Sequence, residues 1–222
     1  EKSKDVFFNL YGDEELIKKE LDKHKVLPDL YKIFPSSTVV SDEETPLTAI
    51  KNSKDSSMWN SINSQIVSNS NITLSAGNTG VLFVVSRMLL KTIESVSKPA
   101  LAGLWPNENS TNVVLDLGAN IECDEKNLVD FAKLGSALHK ALFPEEIVKV
   151  GILNVGSEEI KGTESIKKAY STLKEKEETL SFDFNGYVEG NYITSGKSNV
   201  IITDGFTGNI ALKTAEGIAK FI

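Results

Sequence analysis

Short strand patterns alternate with helical patterns along most of this 222-residue chain. Runs such as Val148–Leu153 carry apolar residues on both faces, whereas Glu125–Leu142 has apolar residues at helical spacing. Strands that are apolar on both faces are typical of a parallel sheet covered by helices on its two sides. The sequence therefore predicts the α/β class, with a largely parallel sheet and helices on both faces. We expect a single α/β domain over residues 1–222, with room in it for a smaller subdomain.

The individual elements follow from the same patterns, read with the turn signals between them. The predicted strands are Val6–Tyr11, one within Leu30–Val40, Ile72–Leu74, Ala100–Leu104, Val113–Leu117, Val148–Leu153, one within Leu180–Tyr187, and Val200–Thr203. The predicted helices are Asp13–Lys25, Pro46–Ser68 with a break around Asn52–Asp55, Gly80–Ile93, Glu125–Leu142, Thr163–Lys176 and Gly208–Ile222.

Loops rich in glycine, asparagine and acidic residues follow five of the predicted strands. They are Tyr11-Gly12-Asp13, the hexad Ser75-Ala76-Gly77-Asn78-Thr79-Gly80, Asp116-Leu117-Gly118-Ala119-Asn120, Asn154-Val155-Gly156-Ser157-Glu158 and Asp204-Gly205-Phe206-Thr207-Gly208-Asn209. Ligands of open parallel sheets bind at the carboxyl ends of the strands, where helix N-termini offer backbone N–H groups. Glycine lets the backbone approach a ligand closely, and asparagine supplies a neutral donor and acceptor. These loops therefore predict a polar floor that binds an anion.

Several of these residues have a simpler interpretation as well. Ser75 or Asn78 is suited to cap the helix that follows the hexad. Lys161 either pairs with Glu158 three residues earlier or faces an anionic ligand, because a lysine near a helix N-terminus opposes the helix dipole.

Four carboxylates at the strand ends raise the question of a metal. Asp116, Asp204, Glu159 and Glu189 could surround a divalent cation, but carboxylates that begin helices are more often dipole partners. We predict no metal site.

Composition and single residues exclude other classes. The net charge of −7 is unlike that of a nucleic-acid-binding protein, and a single cysteine, Cys123, cannot form an intrachain disulfide. His24 and His139 lie in helical patterns away from the loops, so a Ser-His-Asp arrangement is not predicted, and Cys123 is interpreted as structural. No signal peptide and no apolar run of roughly 20 residues is recognisable. We therefore expect a cytoplasmic protein that does not cross a bilayer.

At this point the motifs match a known family in order and over nearly the whole chain. The matching stretches are Tyr11-Gly12-Asp13-Glu14-Glu15, Lys54-Asp55-Ser56-Ser57-Met58, the hexad Ser75–Gly80, Leu115–Asn120, Leu153–Gly162, Val188-Glu189-Gly190-Asn191 and Asp204–Thr214. The chain resembles the PlsX family of bacterial phosphate acyltransferases. Members of this family open with an Asp-Ala-Met-Gly-Gly-Asp segment that this sequence does not contain, and their sequences continue past the position of Ile222. We therefore expect a chain truncated at both ends.

The resemblance implies a fold like that of isocitrate dehydrogenases and phosphotransacetylases. It also implies transfer of a fatty acyl group from acyl carrier protein to inorganic phosphate, giving acyl phosphate for phospholipid synthesis without a cofactor. A homodimer and peripheral contact with the inner face of the membrane, through segments beyond this chain, belong to the same expectation.

The resemblance assigns roles to particular residues. It implies that the catalytic residues are Lys161, Asn209 and Asn78. The residues implied to bind phosphate and thioester are Ser75, Gly77, Thr79, Gly80, Asp116, Gly118, Asn120, Asn154, Gly156, Glu189, Asp204, Gly205 and Gly208.

Two other functions stay open at this level. One is a metal- and nicotinamide-dependent dehydrogenase on a related scaffold, which a loss of activity with a chelator would favour. The other is a non-catalytic module that binds a carrier protein without turnover.

Overall fold

The computed structural model describes residues 6–40, 53–67 and 69–222. The chain divides into two compact units, Glu1–Thr92 and Ile93–Ile222. The part of the helical prediction from Pro46 to Asn52 lies outside the described residues. The prediction of a single domain with a smaller subdomain stays a prediction.

The described residues of the first unit form a pair of parallel strands and three α-helices. Strands β1 (Phe8–Gly12) and β2 (Tyr31–Pro35) pair in parallel and are connected through helix α1 (Glu14–His24). The Asp13 carboxylate begins α1 by accepting the Leu16 N–H at 2.9 Å, as expected of an N-cap.

Helices α2 (Ser57–Ile66) and α3 (Thr79–Leu90) form the core of this unit. Their facing apolar side chains are buried together and comprise Met58, Ile62, Val81 and Val85. Lys54 and Asp55 form a turn before α2, and the Ser56 hydroxyl caps this helix.

The predicted strand Ile72–Leu74 is wrong. These residues belong to no strand, and the side chains of Ile72 and Leu74 are 84% and 93% exposed. A run of three residues supplies too few ladder hydrogen bonds to form a strand unless its side chains are also buried in a core. The hexad therefore follows an irregular segment and not a strand end.

The second unit is built on a five-stranded sheet. Its strands are β3 (Ala102–Pro106), β4 (Thr111–Leu115), β5 (Lys149–Asn154), β6 (Asp183–Glu189) and β7 (Val200–Ile202), in the spatial order β3-β4-β7-β5-β6. The four strands from β4 to β6 in this order are parallel, and β3 is antiparallel to β4 at the edge. The prediction of a largely parallel sheet is confirmed.

Helices cover both faces of this sheet. One face is covered by α4 (Glu125–Leu142) and α5 (Glu164–Glu175), and the other by α6 (Gly205–Phe221). Alternation along the strands explains the two cores. Val200 and Ile202 of β7 pack with α4 and α5, whereas Ile201 between them lies in the core that Leu212 of α6 borders. Both faces are therefore apolar, as the α/β pattern requires.

Two predicted boundaries need correction, and both affect the site. Strand β4 ends at Leu115 and not at Leu117, because the chain turns at Asp116. Helix α6 begins at Gly205 and not at Gly208, because Asp204 is its N-cap. No helix in the described ranges is long and apolar enough to span a membrane.

Candidate active site

The carboxyl ends of the four parallel strands lie at one edge of the sheet of the second unit. Glu189 at the end of β6 is in register with Asn154 at the end of β5, and Ile202 of β7 lies beside Ile152. Three segments leave this edge: residues 116–120, here called the aspartate loop, residues 156–162, called the lysine loop, and the first turn of α6. Most of the predicted site residues of this unit are therefore brought to one edge.

Asp116 organises the aspartate loop. Its side chain is fully buried, and one carboxylate oxygen accepts the N–H groups of Leu101, Gly118 and Ala119 at 2.9–3.1 Å. The other oxygen accepts the backbone N–H and the side-chain amide of Asn120 at 2.8 and 2.7 Å. Five protein donors occupy its two oxygens, so Asp116 shapes the loop, and the substrate-binding role implied for it stays a prediction.

The start of α6 packs directly on the aspartate loop. The Gly205 N–H donates to the Asn120 carbonyl at 2.7 Å. A Cβ at Gly208 would lie 1.9 Å from the Asp116 carbonyl oxygen, so only glycine allows this approach. Asn209 then follows in α6, exposed at its side chain, with its amide donating to the Leu117 carbonyl at 3.2 Å.

Asp204 has a local role at the start of α6. Its carboxylate accepts the N–H and the hydroxyl of Thr207 at 2.8 and 2.9 Å, so it caps α6. A carboxylate already occupies this helix N-terminus, so an anion would meet repulsion there. The substrate-binding role that the resemblance implies for Asp204 stays a prediction.

The lysine loop carries Lys161 next to this edge. The side chain of Lys161 is exposed, three residues before α5 begins, and Thr163 caps the helix by accepting the Ile166 N–H. Within the described residues, the Lys161 ammonium makes no ion pair, so the predicted alternative of pairing with Glu158 is not observed. Gly156 leaves room for the stem of Lys161, since a Cβ there would lie 3.2 Å from its Cγ.

Sequence reasoning missed a tie between the lysine loop and α5. The Tyr170 hydroxyl donates to a Glu159 carboxylate oxygen at 3.2 Å, and its ring lies 4.6 Å from that of Tyr187 on β6. Burial, followed by the Glu159 carboxylate, raises the pKa of Tyr170, which stays protonated and able to donate. No sequence pattern signals this contact, because Glu159 lies in the loop before the helix that carries Tyr170.

The four carboxylates considered for a metal make other contacts. Asp116 and Asp204 accept from backbone N–H groups, Glu159 accepts from Tyr170, and Glu189 lies in strand β6. In the described ranges, no group of three or more His, Cys, Asp or Glu residues is arranged to hold a metal ion.

Cys123 and the two histidines have structural positions. Burial, with the Asp116 carboxylate second, raises the pKa of the Cys123 thiol to about 11, which disfavours a nucleophilic thiolate. His139 is buried in α4 and His24 is exposed at the end of α1. The two histidines lie in helices, as predicted, and the structural interpretation of Cys123 stays a prediction.

The hexad Ser75–Gly80 lies in the first unit. The Asn78 side-chain oxygen accepts the Val81 N–H at 3.1 Å, so Asn78 caps α3, and the Ser75 hydroxyl accepts the Gly77 N–H at 3.2 Å. Thr79 and Gly80 form the first turn of α3. The hexad borders a cleft of about 350 Å³ whose other lining residues include Tyr11, Ile17, Met58 and Ser61. This cleft has the size of a small-molecule site and mixes polar with apolar groups.

The topology of the chain is that of the phosphotransacylases. The EutD phosphotransacetylase from Staphylococcus aureus matches 95% of this chain and 73% of its own, with a TM-score of 0.65 at 15% identity. A branched-chain phosphotransacylase from Enterococcus faecalis matches 96% of this chain and 84% of its own, with a TM-score of 0.52 at 11% identity. At these identities the similarity concerns the fold, and it confirms the predicted fold class.

The sequence identifies the family within this class. A family model described as "Fatty acid synthesis protein" matches residues 1–222, and the chain belongs to this family. It is 50% identical over 218 residues to the phosphate acyltransferase of Pelagibacter ubique, covering 98% of this chain and 64% of that protein. It is 42% identical over 216 residues to that of Caulobacter vibrioides, covering 97% of this chain and 59% of that protein. The chain thus spans about six-tenths of the length of these relatives, and the resemblance to phosphate acyltransferases is confirmed.

Proposed function

We propose that this protein transfers a fatty acyl group from acyl carrier protein to inorganic phosphate and releases acyl phosphate for phospholipid synthesis. The observation that carries the proposal is family membership over the whole chain, with 50% identity to a protein named phosphate acyltransferase. A nicotinamide-dependent dehydrogenase on the same scaffold is not favoured by these relatives.

The chemistry suits the groups at the carboxyl edge of the second unit. A phosphate oxygen attacks the thioester carbonyl carbon, the carbonyl oxygen becomes an oxyanion, and the carbon–sulfur bond then breaks to release the carrier-protein thiolate, which takes up a proton. Phosphate is already an anionic nucleophile, so the enzyme has to position it and stabilise the oxyanion, and no cofactor is required.

Lys161 and Asn209 are the proposed catalytic residues of this unit. The Lys161 side chain is exposed and makes no ion pair among the described residues, so its charge is available to phosphate or oxyanion. Asn209 projects from the second turn of α6 beside the aspartate loop, where it can donate to the same ligand.

The remaining predicted residues fall into supporting roles in this proposal. Gly118, Gly205 and Gly208 keep the aspartate loop and α6 close together, since a Cβ at each would lie within 3.0 Å of a neighbouring atom. The resemblance also gives the hexad of the first unit a part in substrate binding, which Asn78 variants test independently.

Partners and location follow the family as proposals. We expect acyl carrier protein as the acyl donor, a homodimer, and a cytoplasmic protein that contacts the membrane peripherally through segments beyond this chain. Light scattering of the purified protein tests the dimer, and flotation with vesicles of anionic phospholipid tests the membrane contact.

The reaction is tested by measuring free carrier-protein thiol released from palmitoyl carrier protein, with and without inorganic phosphate. We expect release to depend on phosphate and to be unaffected by a chelator or by added nicotinamide cofactor. Thiol release that is equally fast without phosphate identifies a thioesterase, and tight binding of carrier protein without release identifies a binding module. Either result contradicts the proposal.

A further inference from the structure

The backbone of Lys161 is fixed from both sides although its side chain is exposed. Its N–H donates to the Glu158 carbonyl at 3.0 Å, and its carbonyl accepts the Asn154 side-chain amide at 3.2 Å. A lysine side chain has four rotatable bonds, so its ammonium reaches a range of positions around the backbone. These two contacts fix the backbone and so set where that range lies.

Asn154 joins the two ends of the lysine loop. Its side chain is only 7% exposed at the end of β5, and its amide nitrogen donates to the Gly156 carbonyl at 3.1 Å as well as to the Lys161 carbonyl. Both partners are carbonyl oxygens, which only accept, so the amide orientation is fixed by chemistry. One side chain therefore closes the loop whose last turn carries Lys161.

The other side of Asn154 explains why the loop ends in a glycine. Gly162 has a φ of +93°, and a Cβ there would lie 2.3 Å from the Asn154 side-chain oxygen. That oxygen is buried and accepts no hydrogen bond from the described residues. Leaving a buried acceptor unsatisfied costs free energy, and the two hydrogen bonds made by the Asn154 nitrogen have to offset this cost.

We propose that Asn154 is a positioning residue for Lys161, which it places by bridging the Gly156 and Lys161 carbonyls across the lysine loop. The inference rests on the proposed function for the role of Lys161 itself. Asn154 need not touch phosphate or the thioester, in contrast to the binding role that the resemblance implied for it.

The kinetic test is a double-mutant cycle between Asn154→Ala and Lys161→Ala, with kcat and KM for phosphate measured in each variant. Lys161→Ala should lower kcat/KM by about 10- to 150-fold, the value of a hydrogen bond to a charged group. Asn154→Ala should lower it by about 10- to 100-fold, because small misplacements of catalytic groups have effects of this size. In the Lys161→Ala background, Asn154→Ala should change it by less than about twofold.

Asn112→Ala is the matched control. Asn112 is buried at the amino end of β4, and its side-chain amide likewise donates to a backbone carbonyl, that of Ile193, at the opposite edge of the sheet. We expect this variant to lose stability while its kcat/KM for phosphate stays within about twofold of the wild type, since distant sites act independently.

A second measurement does not depend on activity. Hydrogen–deuterium exchange of the peptide covering the lysine loop should accelerate in Asn154→Ala and not in Asn112→Ala, because the bridged carbonyls are released. Asn154→Asp should behave like Asn154→Ala, since a carboxylate oxygen repels both carbonyls.

The outcomes separate this inference from the proposed function. Absence of phosphate-dependent release in the wild type removes the proposed function, and unchanged exchange in the lysine loop removes the bridge. Equal effects of Asn154→Ala in both Lys161 backgrounds, or a Lys161→Ala variant whose kcat/KM matches that of the wild type, overturn the positioning role. Failure of both Asn154 variants to fold shows a structural residue and also overturns it.

Discussion

Replacing Asp116 by asparagine tests whether its carboxylate holds the aspartate loop. The two side chains have the same shape, but asparagine has one oxygen where aspartate has two. The asparagine oxygen should remain on the side of the three N–H groups of Leu101, Gly118 and Ala119. Its NH₂ would then face the two N–H donors of Asn120, which accept nothing.

The magnitude follows from this count. Two hydrogen bonds to a charged acceptor are lost, at roughly 1.5–3 kcal/mol each. Removing a buried charge recovers part of this loss. We therefore expect Asp116→Asn to lower the free energy of unfolding by about 3 kcal/mol, a large part of the 5–15 kcal/mol typical of native proteins. At about 1.5 kcal/mol per molar urea, the midpoint should fall by about 2 M.

The assay should report on the second unit alone. Trp59 and Trp105 are the two tryptophans of the sequence, so in a Trp59→Phe background the fluorescence reports on Trp105 of β3. Trp105 packs partly buried against the core below α6, and unfolding in urea should therefore change its emission.

Asp130→Asn is the matched control for this substitution. Asp130 is 6% exposed, close to the burial of Asp116, but its carboxylate pairs with the single ammonium of Lys126 at 2.5 Å. Its substitution should cost less than about 1 kcal/mol, as is usual for an ion pair with an exposed partner. If the two variants shift the urea midpoint equally, the five-donor arrangement does not stabilise the loop and the reasoning is refuted.

Three further predictions concern other positions. If the Asn78 amide donates to the substrate, Asn78→Ala and Asn78→Asp should both slow phosphate-dependent turnover by about 100-fold. Only Asn78→Ala should also lose the helix cap and about 1 kcal/mol of stability. Normal turnover in Asn78→Asp would show that the only role of Asn78 is to cap the helix. Gly208→Ala should destabilise by about 3 kcal/mol in urea unfolding, because its Cβ would meet a backbone oxygen at 1.9 Å, whereas Gly217→Ala, with open space around it, should gain about 0.5–1 kcal/mol. Burial lowers the pKa of His139, so on acidification the unfolded state takes up the proton before the folded state does. The free energy of unfolding, measured in urea titrations at several pH values, should therefore fall as the pH drops below about 6.5. His139→Leu should flatten this pH dependence, and an unchanged slope would contradict the prediction.

The strongest sequence signals gave the second unit correctly. The helix prediction Glu125–Leu142 matches α4 at both ends, and Asp124 and Asn127 form a capping box at its N-terminus. Strands β4, β5 and β7 were found because burial on both faces leaves apolar runs.

The errors have physical reasons of another kind. Apolar Ile72 and Leu74 are exposed in the described structure, so their hydrophobicity carried no information about strand pairing. The start of α6 was predicted three residues too late, at Gly208, because the position of its first turn depends on a close approach between the helix and the aspartate loop. That approach arises from tertiary packing at Gly205 and Gly208, which no local pattern displays.

The same limit applies to the site. The loops at the carboxyl edge were predictable because strand ends of a parallel sheet coincide in space. The bridge from Asn154 to the two carbonyls was not, since it depends on the path of the lysine loop.

The strand order β3-β4-β7-β5-β6 has a consequence for how this unit forms during synthesis. β7 is the last described strand to leave the ribosome, yet it lies in the middle, between β4 and β5. Until residues 200–202 emerge, the β3–β4 hairpin and the β5–β6 pair are two half-sheets, each with an unpaired edge of buried-type residues. Such edges are prone to pair with other chains. A chain held on a ribosome stalled before β7 should therefore recruit chaperones. Once β7 has been synthesised, it should pair with β4 and β5 and join the two half-sheets in one late, long-range step.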